Sequence, residues 1–508
     1  MIARLFPKRG APASIAQRPK PTGRTFAPFH RAHSAASASS LLADWYGTSA
    51  SANGVTSREA EKLRHRAREL RENGGLAARY DYLVRTNVVG PEGVTLSACV
   101  PSARGKNAAA SATVERLWYG WAKSVTPDGQ SLVEALSQMA ATWKIEGEAL
   151  ATLTVRDSRL VVTPVDPDRL DQHYSEPRRD GITVEQGVAC DAQGRVVGFF
   201  IWNAAADDSA SRTRAFWPAD SVVYLPHRTR PGQIRGLTAL APVMTLLQHL
   251  DKMDEALVVL NRTAASKMFQ FIAQGEWAPP LVNADGMPLD ATLNHEEVGP
   301  GMQWVPPYGY EAKTIDPGQP TGDLATYVGE WLRRIATGLN VSESSLTGDL
   351  ARANYGSQRG GLIMERDGWK MDQQLLVDHI VRPLFARWVG MEVMSRRLLL
   401  PNGVRVESVI EHSEWYPRRW SWIDPLKDAK AIEALLALRM TSRTRELNML
   451  GIDVREVFQE IADEEALAES LGIALVETPP AAPTPDDAEE DEDDVIPPAA
   501  TPRSLRAV

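Results

Sequence analysis

The chain has 508 residues, of which 43% are apolar and 24% are charged, a composition typical of a soluble protein with a large buried core. Because there is no run of about 18 apolar residues, we expect no transmembrane helix, and the basic N-terminus lacks the apolar segment of a signal peptide. The only two cysteines, Cys99 and Cys190, are expected to be buried reduced thiols rather than a disulfide.

The formal net charge of -9 is unevenly distributed. Residues 1–43 carry seven Lys or Arg and no acid, whereas residues 480–508 carry eight acids and two Arg. The body between them therefore holds about -10, and an acidic body argues against tight gripping of nucleic acid, which needs a dense basic face. We expect residues 1–43 to be a disordered basic arm, either solvated or touching nucleic acid or an acidic surface, and residues 476–508 to be a disordered acidic tail.

In chain order, residues 44–235 are predicted to form an α+β domain. Capping boxes at residues 56–59 and 131–134 predict helix starts, and Asn73-Gly74-Gly75 predicts a helix end. Alternating apolar runs separated by turn residues predict hairpins across residues 156–159 and 191–194, and one further strand near residues 221–225.

Two long helices follow, and the rest of the chain is organised around them. Residues 236–273 have apolar side chains mostly three or four apart, and residues 321–339 carry a similar stripe, so each helix is expected to pack against the other. Frequent charges in the first helix exclude a membrane span. The intervening residues 274–320 are rich in Pro and Gly and are predicted to form a small sub-domain.

Residues 340–357 form a polar stretch that is predicted to be a functional loop, because long loops without structure of their own are usually functional or disordered. A third long helix is expected to follow at once, within a segment 358–423 that also includes a strand at residues 405–410. The tryptophans of residues 414–422 suggest either a base-stacking platform or, more often, a core or subunit contact. Further helices are predicted over residues 424–475.

The sequence contains none of four common catalytic or metal-binding motifs. It has no phosphate-binding loop, no nucleophile elbow, no two-histidine zinc helix and no zinc cluster. A nuclease-like Pro127-Asp128 is followed by Glu146-Gly147-Glu148 without the expected Lys. We therefore expect neither a cofactor nor a metal, and a non-enzymatic protein is the favoured hypothesis, with a nuclease-like DNA-processing enzyme as the alternative.

Several ordered motifs resemble the core of phage portal proteins of the lambda family. They are Ile335-Ala336-Thr337-Gly338-Leu339, Leu346-Thr347-Gly348-Asp349, and the run from Asn354 to Arg359 followed by Arg366 and Gln373. The Asn87-Val88-Val89-Gly90 turn after an Arg-rich helix, and the Trp-rich segment ending in Asp424-Pro425, also resemble that family. Gly356 departs from the pattern, where Ser is expected.

This resemblance implies a mixed α+β, mainly helical portal fold, assembled as a ring of about twelve copies at one capsid vertex, with double-stranded DNA passing through the middle. Residues 44–235 would form a wing, residues 236–273 and 321–339 a stem, residues 274–320 a clip, residues 340–357 a tunnel loop and residues 424–475 a crown. The implied location is the virion, and the host cytoplasm during assembly.

The expected site residues fall into two groups. In the tunnel loop, the residues expected to lie near DNA without reading its sequence are Ser342, Ser345, Thr347, Asp349, Arg352, Asn354 and Tyr355. In the clip, the residues expected to dock the terminase large subunit and later the head-tail adaptor are Trp277, His295, Glu296, Glu297 and Trp304. The resemblance also implies contact with the major capsid protein and the scaffold.

Overall fold

The computed structural model describes residues 49–102, 105–205, 212–265, 268–273, 310–315, 324–350, 355–420, 425–449 and 454–473. Those from Ala52 onward belong to one unit. Its α-helices are α1 Ala52–Asn73, α2 Gly75–Val84, α3 Ala108–Ala122, α4 Leu132–Glu146, α5 Met244–Ala265, α6 Leu324–Leu339, α7 Glu343–Thr347, α8 Tyr355–Leu376, α9 Arg382–Met394, α10 Val406–His412, α11 Pro425–Ala437, α12 Arg443–Met449 and α13 Val454–Leu471. Two π-helical turns, Arg85–Val89 and Val377–Val381, follow α2 and α8.

The strands are short and pair antiparallel. They are β1 Thr95–Ser97, β2 Pro101–Ser102, β3 Gly105–Lys106, β4 Glu148–Arg156, β5 Arg159–Val165, β6 Glu176–Arg179, β7 Ile182–Glu185, β8 Val188–Cys190, β9 Val196–Trp202, β10 Arg214–Pro218, β11 Val222–Pro226, β12 Met268–Ala273, β13 Tyr310–Ile315 and β14 Glu414–Tyr416. The larger sheets have the orders β11-β4-β5 and β10-β9-β8-β7-β6, and the pairs are β1-β14, β12-β13 and β2-β3. The fold is thus mixed α+β and mainly helical, as predicted.

Several local predictions are confirmed. Ser131 and Glu134 form a complete capping box at the start of α4. The predicted hairpins are the pairs β4-β5 and β8-β9, and the turn of the first places Asp157 and Ser158 at positive φ. The helices predicted after residue 424 are α11, α12 and α13. Both cysteines are free thiols as predicted, but they are half-buried rather than buried. None of the described helices combines the length and hydrophobicity required to cross a bilayer.

A cluster of aromatic rings forms the centre of the core. Trp118 packs edge-on against Phe385, Trp388 and Trp415, with ring centroids 5.2–5.7 Å apart, and Trp121 packs against Trp118 at 4.8 Å. Each such pair contributes about 0.5–1.5 kcal/mol beyond the area that it buries. The cluster joins α3, α9 and β14, so Trp415 is a core residue and not a stacking platform.

The first long helix is shorter than predicted. Instead of residues 236–273, α5 covers Met244–Ala265, because residues 236–243 form turns in which a Cβ on Gly236 would overlap the carbonyl oxygen of Gly147. The buried Leu240 and Val243 lie three apart in these turns, which imitates helical spacing. Residues 268–273 are β12, which pairs antiparallel with β13 and therefore cannot continue the helix.

Three further predictions are corrected. The first helix does not begin at a capping box on Thr56 but at Ala52, and the Thr56 hydroxyl donates to Gln186 Oε1 at 3.1 Å from inside α1. Residues 405–410 are not a strand, because Val406–His412 forms the helix α10, whose Val409 is fully buried in the core. The stretch 340–357 is not all loop, since it contains α7 and the start of α8.

Candidate functional site

The site that the sequence analysis favours is the connection between α6 and α8. The two helices predicted as a pair do pack together, because a Cβ on Gly338 of α6 would overlap Val243 Cγ1 just before α5. His249 of α5 also meets the Trp331 ring of α6 edge-on, with 6.4 Å between ring centroids. The end of α6 is therefore held in place by α5 and by the turn just before α5.

The connection opens with a built turn. Asn340 has φ +56°, the left-handed conformation that reverses the chain after a helix, and Val341 N donates to Ala336 O at 3.1 Å. The Ser342 side-chain oxygen then caps α7 by accepting from Ser345 N at 3.1 Å. These local hydrogen bonds explain why a polar sequence forms ordered backbone here.

Glu365, at the end of the third turn of α8, anchors this connection. Its Oε2 accepts from Ser342 N at 3.0 Å and from Ser345 Oγ at 2.8 Å, and its Oε1 accepts from Trp369 Nε1 at 3.1 Å. The residue is only 8% exposed, so its charge depends on these three donors for solvation. Glu365 therefore ties α7 to α8 on the far side of the loop.

Contacts with the core and with α2 also hold α7 in place. Leu346 is 2% exposed in the main core, and Arg79 of α2 donates from Nε to Ser345 O at 3.0 Å. Gly348 ends α7 with φ +76°, and Thr347 Oγ1 accepts from Asp349 N at 3.1 Å. From Gly348 to Leu350 the chain is exposed, with Leu350 at 57%.

The predicted loop residues thus have different surroundings. Hydrogen bonds within the chain engage the hydroxyls of Ser342, Ser345 and Thr347, whereas Asp349 lies on the exposed part after α7. Residues 351–354, which include Arg352 and Asn354, lie outside the described residues, and of Tyr355 only the backbone is described, as the first residue of α8. The predicted docking residues also lie outside the described ranges; they are Trp277, His295, Glu296, Glu297 and Trp304.

Sequence analysis missed Glu365. The available signal was the pair Glu365 and Trp369, four apart on one helix and therefore on one face, where a carboxylate beside an indole N–H indicates a half-buried polar contact. What no local pattern gives is the partner, because Ser342 lies 23 residues earlier in the chain.

A second polar cluster joins the segments that carry the family resemblance. Gln373 Nε2 of α8 donates to Asn87 O at 2.7 Å and to Arg418 O at 2.9 Å. Asn87 Oδ1 accepts from Arg418 Nη1 at 3.0 Å and from Trp420 Nε1 at 2.9 Å. The Asn-Val-Val-Gly turn, the third long helix and the Trp-rich segment therefore meet at one point.

The carboxylates that could suggest a nuclease are held by arginines. Glu148, which is fully buried, bonds through both side-chain oxygens to Arg235 at 2.6–2.9 Å, and it also accepts from Arg64 Nη2 at 2.7 Å and from Tyr224 Oη at 2.6 Å. Burial alone would raise the pKa of Glu148, but the charges of Arg235 and Arg64 outweigh it and hold the pKa below its usual value.

Neighbouring carboxylates are engaged in the same way. Asp168 pairs with Arg64 and Arg68, and Glu146 pairs with Arg68. Burial raises the pKa of Glu146, an effect that Arg68 only partly offsets. Among the described residues no set of three His, Cys, Asp or Glu side chains converges to hold a metal ion. The geometry is that of a buried ion-pair cluster joining α1 to β4 and to the chain after β5.

The comparison with known families gives the class of the protein. Residues 38–373 match a family model described as phage portal protein, so the class is that of the phage portal proteins. The matched family is the lambda family, and the chain belongs to it.

Similar proteins include one curated relative and several solved structures. The chain is 26% identical over 458 residues to a probable portal protein of Halomonas phage phiHAP-1, covering 84% of this chain and 85% of the relative. A chain in the neck of a native GTA particle, computed with C12 symmetry, has 12% identity and a TM-score of 0.41, covering 78% of this chain and 94% of that one. An HK97 family phage portal protein from Corynebacterium diphtheriae has 12% identity and a TM-score of 0.30, covering 72% of this chain and 97% of that one.

Proposed function

We propose that copies of this chain close into a ring of about twelve at one capsid vertex, and that double-stranded DNA is packaged and ejected through the ring. Membership of the portal family over residues 38–373 carries this proposal. Exposed apolar side chains on α8 support it, since Ile363, Met364 and Met371 are 47%, 79% and 71% exposed in the single chain. A neighbouring copy would cover them, and large exposed apolar side chains on one helix commonly mark such a contact.

Charge supports passage rather than capture of DNA. A duplex carries one negative charge per ~1.7 Å, so a strongly basic wall would hold it, whereas the acidic body of this chain would repel it and let it slide. Ring symmetry repeats each residue that faces the centre, so one Asp349 per chain would become a circle of about twelve carboxylates. In this function the protein needs no catalytic group.

We assign the part of the connection nearest to DNA to residues 348–355. The Ser345 hydroxyl donates to Glu365 and the Ser342 hydroxyl donates to Ser345 Oγ, whereas Asp349 and Leu350 are exposed and lead into Arg352 and Asn354. A segment that meets only the phosphates of a passing duplex approaches it without recognising its sequence.

A deletion tests this assignment. Removing residues 349–353 leaves α7 and its bonds to Glu365 in place, so rings should still assemble while DNA packaging or retention falls. A matched five-residue deletion in the acidic tail, residues 480–484, should leave packaging unchanged. Packaging by the 349–353 deletion at the level of the unaltered protein would reject the assignment.

We also propose that residues 274–320 dock the terminase large subunit during packaging and a head-tail adaptor afterwards. Since Ala273 of β12 pairs with Tyr310 of β13, residues 274–309 can be replaced by an Asn-Gly turn that keeps the hairpin. The shortened protein should form rings but fail to retain the terminase in a pull-down. Equal retention by both forms would contradict the docking role.

The remaining contacts follow from the same position at a capsid vertex. The ring would touch the major capsid protein and the scaffold, assemble in the host cytoplasm and remain in the virion. A monomeric nuclease-like enzyme is the alternative, and the mass of the purified particle separates the two, because an enzyme need not form a closed ring. End-on electron micrographs of solid particles would overturn the ring.

A further inference from the structure

A cleft of about 440 Å³ lies between α1 and one face of the five-stranded sheet. Its walls include Tyr174, Trp202 and Leu170, and two guanidinium groups lie over the rings. Arg214 is 3.5 Å from the centroid of Tyr174, and Arg212 is 4.4 Å from that of Trp202. Trp, Tyr and Arg are the residues that most often contribute binding energy at protein surfaces.

Each carboxylate that lines this cleft already has a cationic or histidine partner. Asp171 accepts from Arg214 Nη1 at 2.8 Å, and Glu61 lies 3.1 Å from His173 Nε2. Asp168 is held by Arg64 and Arg68, as described above. The acidic side of the cleft is therefore neutralised within the chain.

Arg212 differs from the other cations of the cleft. Within the described ranges it makes no ion pair, and its Nε, although shielded from solvent, has no hydrogen-bond partner. Gln172 is 8% exposed and also lines the cleft; its Nε2 donates to Thr56 O at 3.1 Å, while its Oε1 accepts from nothing. The unsatisfied groups are thus one guanidinium and one amide oxygen, which suit an anion next to an N–H donor.

We propose that this cleft binds an acidic peptide segment, and that the segment is residues 486–494 of the same chain or of a neighbouring copy. Eight of these nine residues are Asp or Glu. A carboxylate would pair with the Arg212 guanidinium in a two-point hydrogen-bonded contact, and a backbone N–H next to it would donate to Gln172 Oε1. The methylene groups of the acidic side chains would pack on the rings of Tyr174 and Trp202.

Twelve residues connect the described chain to the acidic segment. The described chain ends at Ile473, and residues 474–485 can span roughly 40 Å when extended, at about 3.4 Å per residue. The docking does not depend on ring formation or on DNA passage, so it can fail while the portal function stands, and the reverse also holds.

Zero-length carbodiimide cross-linking of the full-length protein tests the proposal. The variant Arg212→Lys keeps the positive charge and supplies an amine, so mass spectrometry should find an amide joining position 212 to a carboxylate of residues 486–494. The matched control Arg195→Lys carries the new amine on the exposed turn between β8 and β9, and this residue does not line the cleft. We expect about tenfold less of the tail cross-link in the control, and loss of the position-212 cross-link at ~1 M salt, where the Debye length is about 3 Å.

Three results would overturn the proposal. The tail could couple to Arg212→Lys and Arg195→Lys equally, which would show diffuse attraction. It could couple instead to Lys8 and Lys20 of the basic arm. The amine at position 212 could couple only to Asp207 or Asp208, five and four residues earlier in the chain, and to no residue of the tail.

Discussion

Replacing Glu365 with Gln should loosen the connection between α6 and α8 without unfolding the rest. The carboxylate accepts three hydrogen bonds, from Ser342 N, Ser345 Oγ and Trp369 Nε1. A glutamine offers one acceptor oxygen, so its amide N–H₂ must face either the two serines or the indole donor. Losing charge-assisted acceptance in this buried place should cost about 2 kcal/mol, which corresponds to roughly thirtyfold faster exchange of the protected amides.

Hydrogen exchange with mass spectrometry measures this directly. The peptide that contains Ser345 and Leu346 should exchange faster in Glu365→Gln, while peptides from α4 and β4 keep their rates. Asp367→Asn is the matched control on the same helix, because the ion pair of Asp367 with Lys370 is exposed and contributes at most about 0.5 kcal/mol. Unchanged exchange in Glu365→Gln, or an equal change in the control, would refute the anchoring role.

Two more predictions concern stability. Glu148→Gln leaves the buried Arg235 without its charge partner and should lower the free energy of unfolding by about 3–5 kcal/mol in urea titrations. Because the folded pKa of Glu148 lies below the usual 4.5, its contribution is present above that pH and is lost as the pH falls through the folded pKa, so the difference between the two proteins should shrink in acid. A constant difference down to strong acid would contradict this. Gly236→Ala should prevent soluble folding, because the added Cβ would overlap the backbone of Gly147. The control Gly390→Ala in α9 meets no atom within 4 Å and should stabilise the protein by about 0.5–1 kcal/mol. Equal soluble expression and equal melting temperatures of the two variants would contradict the close packing at Gly236.

Sequence patterns predicted those elements whose signals are local. The capping box at Ser131 and Glu134, and the turn residues Asp157 and Ser158, set their own backbone through neighbouring atoms. At these two places the backbone needs no information from distant parts of the chain, whereas the same motif at Thr56 starts no helix and its hydroxyl bonds to the distant Gln186. The family motifs around Asn354 added the class of protein, but they did not give contacts.

The errors arose where distant contacts decide the local structure. The turns from Gly236 to Val243 depend on Gly147, which lies about 90 residues earlier, and the buried spacing there looks helical. By contrast, the strand prediction for residues 405–410 misread a local signal, because Val406, Val409 and Ile410 are β-branched but lie three and four apart, which is the spacing of a helix. For the candidate site, the order of Ser342 and Ser345 depends on Glu365, so polarity alone suggested a freer loop than the structure has.

The pairing of β1 with β14 has a consequence for synthesis on the ribosome. Leu96 lies opposite Trp415, so β1 must wait for roughly 320 further residues, which takes about 15–60 s at bacterial translation rates of 5–20 residues per second. During that interval Trp118 and Trp121 lack the rings that later enclose them. Each nascent chain therefore carries an unpaired strand edge and an incomplete aromatic centre, and it has a prolonged need for chaperones before it is ready to meet other copies.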